Sequence, residues 1–144
     1  MKYRIFAIGK PRLRYASAAV DEYRARLARR GDFEICYLRE KDGCRQLLDR
    51  SRGTCRIALD ERGERLTTAE LAERIDALEQ DGAVKTLSFL LGGPMGHEPL
   101  LRRESNLVLS LSSLTLQHEL ALVVLLEQLY RVSDLRRGGP YHRC

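Results

Sequence analysis

The chain of 144 residues has no apolar run that could cross a bilayer, which takes roughly 18 to 20 uninterrupted residues. Its longest dense stretch, Leu120 to Leu126, falls well short. The apolar opening, Met1 to Gly9, is too short for an export signal and soon meets Lys10, Arg12 and Arg14, so a cytoplasmic protein is expected. Cysteine is sparse and unpatterned. Cys36, Cys44, Cys55 and Cys144 show neither Cys-x-x-Cys spacing nor a histidine at ligand spacing, so no zinc site and no disulfide framework is expected. The usual phosphate-binding signatures are missing as well. Gly92, Gly93 and Gly96 do not follow Gly-x-Gly-x-x-Gly, and no Lys-Ser/Thr pair follows them, which argues against dinucleotide and nucleoside-triphosphate binding. His118-Glu119 begins like a zinc-protease helix, but position 122 is leucine; the second ligand is absent and a metalloprotease is excluded.

What is present fits one domain, since a hydrophobic content of 44% is enough to bury a core at this length. Basic residues outnumber acidic ones, 25 to 20, and nearly all are arginine. Arginine grips phosphate with two parallel hydrogen bonds and stacks on bases, so a polyanionic partner is suited. Arginine richness also follows from genome composition, and charge alone leaves the partner open.

Strand and helix patterns alternate along the chain. Tyr3 to Ile8 reads as a first strand ending at Gly9 and Pro11. A helix from about Arg14 to Arg30 is expected to stop at Gly31 in a left-handed end. Phe33 to Leu38 is a second strand, Lys41 to Ser51 a short helix, and Arg56 to Leu59 a short buried strand. Thr67 and Glu70 have the spacing of a capping box, so a helix begins there and ends near Gly82, with Leu71, Ile75 and Leu78 forming its buried stripe. Thr86 to Leu91 is a central strand, Pro99 to Glu104 a turn of helix, and Asn106 to Leu109 a last strand. The final helix spans about Gln117 to Val132, with a tail over 133–144. This alternation implies an α/β domain with a mostly parallel sheet flanked by helices. Apolar residues surround the final helix, so it must be enclosed, either within one chain or between two subunits; a homodimer is the preferred reading.

Chemistry-bearing residues concentrate late in the chain. Gly92 and Gly93 follow a central strand at the carboxyl edge of the sheet, where open α/β folds bind ligands and where a missing Cβ permits close backbone approach; viewed alone they form either a tight turn or a ligand loop. Leu111, Ser112, Ser113, Leu114, Thr115 and Leu116 form an apolar, hydroxyl-bearing stretch that is either a buried connection or a ligand wall. Near the end of the chain, Pro140-Tyr141-His142-Arg143 carries aromatic, imidazole and guanidinium groups that a disordered terminus usually does not need; it is either a frayed end or part of a site.

Together, Leu90 to His97, Leu109 to His118, Glu127 to Arg131 and Pro140 to Arg143 resemble the SPOUT-class methyltransferases that act on a pseudouridine of 23S ribosomal RNA, the large-subunit methyltransferase H family. Ile57 to Gly63 and Ile8-Gly9-Lys10 are similar to that family too; the likeness is weakest over Lys41 to Thr54. The resemblance implies a trefoil-knotted fold, a homodimer with composite active sites, and transfer of a methyl group from S-adenosyl-L-methionine to N3 of the pseudouridine, with ribosomal RNA or the ribosome as partner and no metal. It implies a cofactor pocket from Leu59, Gly92, Gly93 and the six residues from Leu111 to Leu116. It also implies a tail that completes the site: Tyr141 to stack on the base, His142 to take a proton as first candidate with His118 as second, and Arg131, Arg136, Arg137 and Arg143 to hold RNA. Adenine would be held by backbone amides and carbonyls between apolar side chains, so few charges are needed there. His118 is alternatively a helix-start residue bonded to the cofactor loop. Tyr130 is read as packing, and Arg131 as holding either the tail or RNA. The chain departs from the family pattern at Leu122, where relatives carry Arg, and at Gln117, frequently Pro. Either Arg136, Arg137 or Arg143 replaces the missing charge or the substrate contact differs. Two competing functions remain at this stage, a non-catalytic RNA- or ribosome-binding protein of the same fold and a knotted methyltransferase for a different RNA.

Overall fold

Successive side chains of strand β1 (Lys2–Ile8) enter two different cores. Tyr3, Ile5 and Ala7 join one cluster while Phe6 and Ile8 join another, as the two-residue period of a strand dictates. Strand β4 (Thr86–Leu91) divides likewise, with Leu87, Phe89 and Leu91 on one side and Leu90 on the other. Both faces of the sheet are therefore covered, and the strands read as apolar runs. This is a computed structural model, and it describes residues 1–93 and 96–143. Pro94 and Met95 of the glycine-rich loop, and Cys144, lie outside the described residues.

With β2 (Asp32–Leu38), β3 (Cys55–Arg65) and β5 (Leu107–Ser110), the sheet has the order β2-β1-β4-β3-β5. Every strand pairing in it is parallel. Helices α1 (Arg14–Ala28), α3 (Thr68–Gln80) and α5 (His118–Arg136) cover the larger core, with Val20, Leu27, Leu71, Ile75, Leu125 and Leu126 among its buried residues. Helices α2 (Gly43–Arg50) and α4 (Pro99–Arg103) cover the smaller one through Leu47 and Leu101.

Local signals explain most boundaries. Thr67 Oγ1 accepts from the Glu70 amide and Glu70 Oε1 accepts from the Thr67 amide, so the expected capping box opens α3. The sequence reading needs three corrections. Helix α1 stops at Ala28, and Gly31 is not left-handed: the amides of Arg30 and Gly31 turn back onto the Leu27 carbonyl instead. Strand β3 runs past Leu59 to Arg65, because a bulge after Leu59 lets Glu64 and Arg65 pair again with Leu109 and Ser110. Gly63 permits this, since a Cβ there would stand 2.5 Å from the Val108 carbonyl.

The third correction concerns α5, which continues beyond Val132 to Arg136 because buried Asp134 and half-buried Leu135 extend its inner face. It ends at Gly138, whose φ of 75° lets the Gly138 amide reach the Leu135 carbonyl and the Gly139 amide reach that of Asp134. That paired arrangement is a Schellman end. No residue from His118 to Leu135 is fully exposed, so one protomer already shields much of the helix with α1, α3 and the sheet. Among the described residues, no helix is long and apolar enough to cross a membrane, and no three His, Cys, Asp or Glu side chains form a metal-sized group.

Candidate cofactor pocket and carboxyl-terminal cluster

Leu59, Leu91 and Leu109 stand in register across β3, β4 and β5. Just beyond them the chain opens a cleft of about 540 Å³, the size of a nucleoside-like ligand site. Three segments wall it: Leu59 to Arg62 from β3; Leu91 to Gly93 with Gly96 and His97 after β4; and residues between Leu111 and Ala121 leading into α5. Of the expected cofactor residues, Leu59, Gly92, Gly93, Leu111, Ser112, Leu114, Thr115 and Leu116 line it, as does His118. Ser113 is exposed and is not among the lining residues.

Backbone proximity shapes the cleft. A Cβ on Gly92 would stand 2.9 Å from the Gly96 carbonyl oxygen and 3.2 Å from His97 Nδ1, and one on Gly93 would press Ile8 Cγ2 at 3.2 Å. Gly96, at φ 75°, closes this loop through its amide on the Gly93 carbonyl. On the opposite wall, Ser110 Oγ donates to the Ser112 carbonyl and the Leu114 amide donates to Ser112 Oγ, which locks the turn after β5. Thr115 Oγ1 donates to Glu61 Oε2 at 2.8 Å and ties that turn to β3. Leu114, 76% exposed, projects at the rim.

Sequence reading missed several lining residues. Asp60 Oδ1 accepts from the Arg62 amide, and its Oδ2 lies 3.3 Å from Arg102 Nη1, which also donates to the His97 carbonyl. Arg102 thereby joins the loop after β4 to β3. His97 Nε2 sits 2.9 Å from the Leu90 carbonyl, and burial pushes the imidazole below its ordinary range. Both Asp60 and His97 lie inside the motifs quoted above, and that position was the available signal. The two departures are also explained locally. Leu122 is a core residue, 3% exposed, and Gln117 caps α5 by accepting from the Glu119 and Leu120 amides. Glu119 in turn accepts from the amides of Arg12 and Leu13, which fixes the start of α1 beside the start of α5.

The tail is ordered but does not line the cleft of its own protomer. It folds against the far half of α1 and α5. The Tyr141 ring meets Tyr130 edge-on at 4.9 Å, its hydroxyl lies 3.0 Å from that of Tyr23, and Arg131 covers its face at 4.7 Å. Burial, followed by that phenol contact, pushes Tyr23 up to about 12. Arg131 is bound by Glu127 at 3.0 Å, and its Nη1 lies 3.5 Å from His142 Nδ1. Arg143 and Arg137 are exposed. Arg136 is engaged elsewhere, paired with Asp76 and Glu79 of α3. His118 at the start of α5 and Asp134 near its end are about 24 Å apart along the axis. The pocket residues expected from sequence thus come together, whereas Tyr141, His142, Arg131, Arg137 and Arg143 belong to a second location and Arg136 is held on α3.

A parallel sheet with a glycine-walled cleft at the carboxyl ends of its inner strands defines an α/β protein of the class whose ligand sites lie at that edge of the sheet. The family described as "Predicted SPOUT methyltransferase" matches residues 1–142. The chain is 48% identical over 143 residues to the "Ribosomal RNA large subunit methyltransferase H" of one Thermus thermophilus strain, covering 99% of each. Proteins of the same name from Deinococcus radiodurans and Geobacter metallireducens are 37% and 35% identical, again over 99% of each chain. The chain belongs to the SPOUT methyltransferase family.

Proposed function

We propose that this methyltransferase modifies N3 of a pseudouridine in 23S ribosomal RNA, acting in the cytoplasm as a homodimer on ribosomal RNA or the ribosome. The relatives' names support the substrate class, and the cleft is the observation that carries the chemistry. Gly92 and Gly93 let the chain after β4 fold closely on Gly96, His97 and Ile8 and so keep main chain at the cleft wall, and apolar Leu59, Leu111 and Leu116 can enclose a flat heterocycle, so the residues present fit S-adenosyl-L-methionine. That cofactor, when bound, supplies an electrophilic methyl group. The backbone around Gly92 and the segment from Leu111 to Leu116 hold and orient it, while no charged lining residue need pair with its adenine.

The tail supplies what the cleft lacks. Tyr141 stacks on the base, His142 takes the N3 proton, and Arg131, Arg137 and Arg143 meet phosphates. His118, at the cleft itself, is the second candidate for the proton. Because α5 separates the tail from its own cleft, the tail serves the cleft of a second copy. Exposed Leu13, Tyr15 and Leu114, with half-buried Leu120 and Val124 on α5, offer apolar surface for that pairing. We also assign a trefoil knot. Its support is the path after β5, which passes the ends of β3 and β4 before α5 packs on α1.

Mass mapping of ribosomal RNA from a deletion strain tests activity and target at once. One methyl group lost from a pseudouridine of 23S RNA, restored by the wild-type gene, is expected. An unchanged map overturns the substrate, and the absence of cofactor binding by calorimetry overturns the methyltransferase reading of the cleft.

A further inference from the structure

Asp134 is the one acidic side chain among the described residues that is fully buried, at 3% exposure, and the residue holds the tail by two hydrogen bonds. Its Oδ2 accepts from the Tyr141 amide at 2.8 Å, its carbonyl accepts from the Gly139 amide at 2.9 Å, and a Cβ on Gly139 would collide with its carboxylate. From behind, Arg30 Nη2 donates to Asp134 Oδ1 at 3.0 Å and to the Tyr130 hydroxyl at 2.9 Å, while its guanidinium lies over the Tyr130 ring. Among the described residues, the other terminal nitrogen of Arg30 is buried with no hydrogen-bond partner.

We propose that Asp134, backed by Arg30, is a positioning residue for methyl transfer: it fixes the backbone at Tyr141 so that the Tyr141 ring and the His142 imidazole reach the target base. This rests on the reading of the tail given above. A carboxylate bonded to both a main-chain amide and a guanidinium is directionally fixed, and Tyr130 on the same Arg30 supplies the surface against which Tyr141 is set. The chain after the Schellman end is short, so one anchored amide determines where the next side chain stands. Asp134 does not line the cleft, and its effect passes through the Tyr141 amide and the His142 that follows; Arg137 Nε lies 4.0 Å from Asp134 Oδ1, but that pair is too exposed on the arginine side to fix the tail.

The test is a kinetic cycle on the full-length dimer with ribosomal RNA, comparing Asp134→Ala, Asp134→Asn, Gly139→Ala and the double variant Tyr141→Ala/His142→Ala. Asp134→Ala should lower kcat about tenfold or more, since small misplacement of a reacting group is costly, with cofactor affinity unchanged. Asp134→Asn, which keeps an acceptor for the Tyr141 amide, should recover part of the loss. Added to the double variant, Asp134→Ala should cost nothing further. Gly139→Ala displaces the same carboxylate from the tail side without removing its charge, so it stands in if Asp134→Ala does not fold. Wild-type kcat in both Asp134→Ala and Gly139→Ala overturns the proposal. An equal loss with and without the tail side chains overturns it too, because Asp134 would then act on the fold at large. Full kcat in the double variant instead overturns the tail's role in catalysis, and the proposal with it.

Discussion

The cleft and the carboxyl-terminal cluster lie at opposite ends of α5 and are made of different material. The cleft is shaped by main chain: two glycines, a locked turn after β5 and a few leucines. The cluster is shaped by side chains: Tyr23, Tyr130, Tyr141, Arg30, Arg131 and Asp134 hold one another by rings and charge. A site made of backbone is broken by adding atoms, whereas one made of side chains is broken by removing them. The two regions should therefore respond to opposite kinds of substitution, and to different assays.

The largest effect is expected from removing a group at the tail. His142→Ala should lower the methylation rate on the order of 10²-fold, the usual scale for a positioned proton acceptor, while calorimetry with S-adenosyl-L-methionine shows unchanged affinity. Unchanged turnover would exclude His142 and move the role to His118. The converse effect comes from adding one methyl group at the cleft. Gly92→Ala forces the Gly96 carbonyl or His97 to move and should weaken cofactor affinity about tenfold, roughly 1.4 kcal/mol. Wild-type affinity in this variant would show that the loop after β4 does not approach the ligand.

The smallest effect is on pH dependence of stability. Burial lowers the pKa of His97 in the fold, so protonation favours the unfolded chain. Stability is full above the unfolded value of about 6.5 and declines as pH falls from there toward the folded value. His97→Gln should flatten that acid limb in thermal melts by a few degrees. An identical limb in the variant would assign the dependence to carboxylates such as Glu79, which its hydrogen bond with Arg136 holds low.

Legibility differed between the two regions for a physical reason. Strand alternation, the Thr67 capping box and the glycines after β4 depend on neighbours in sequence, so the fold and the cleft lining followed from local pattern. Asp60 and His97 were missed because their partners, Arg102 and the Leu90 carbonyl, are brought to them by the tertiary fold. The extension of β3 was hidden by the charged run Asp60-Glu61-Arg62 that contains the bulge. The tail's chemistry was visible as composition, but nothing in its residues reveals that Asp134 and Arg30 hold it away from the cleft of the same chain. Arg136 looked like a phosphate ligand until α3 provided two carboxylates for it.

The length of α5 has a consequence for how damage combines. In the proposed dimer, a rigid rod that keeps cleft and tail apart in each chain makes every working chamber a product of two polypeptides. In a mixed pair, one copy spoiled at Gly92 and the other at His142 place both lesions in the same chamber and leave the opposite one intact. Two variants that are each impaired alone, assayed at a cofactor concentration limiting for the Gly92 variant, should then regain up to half of the wild-type rate per pair when allowed to exchange partners.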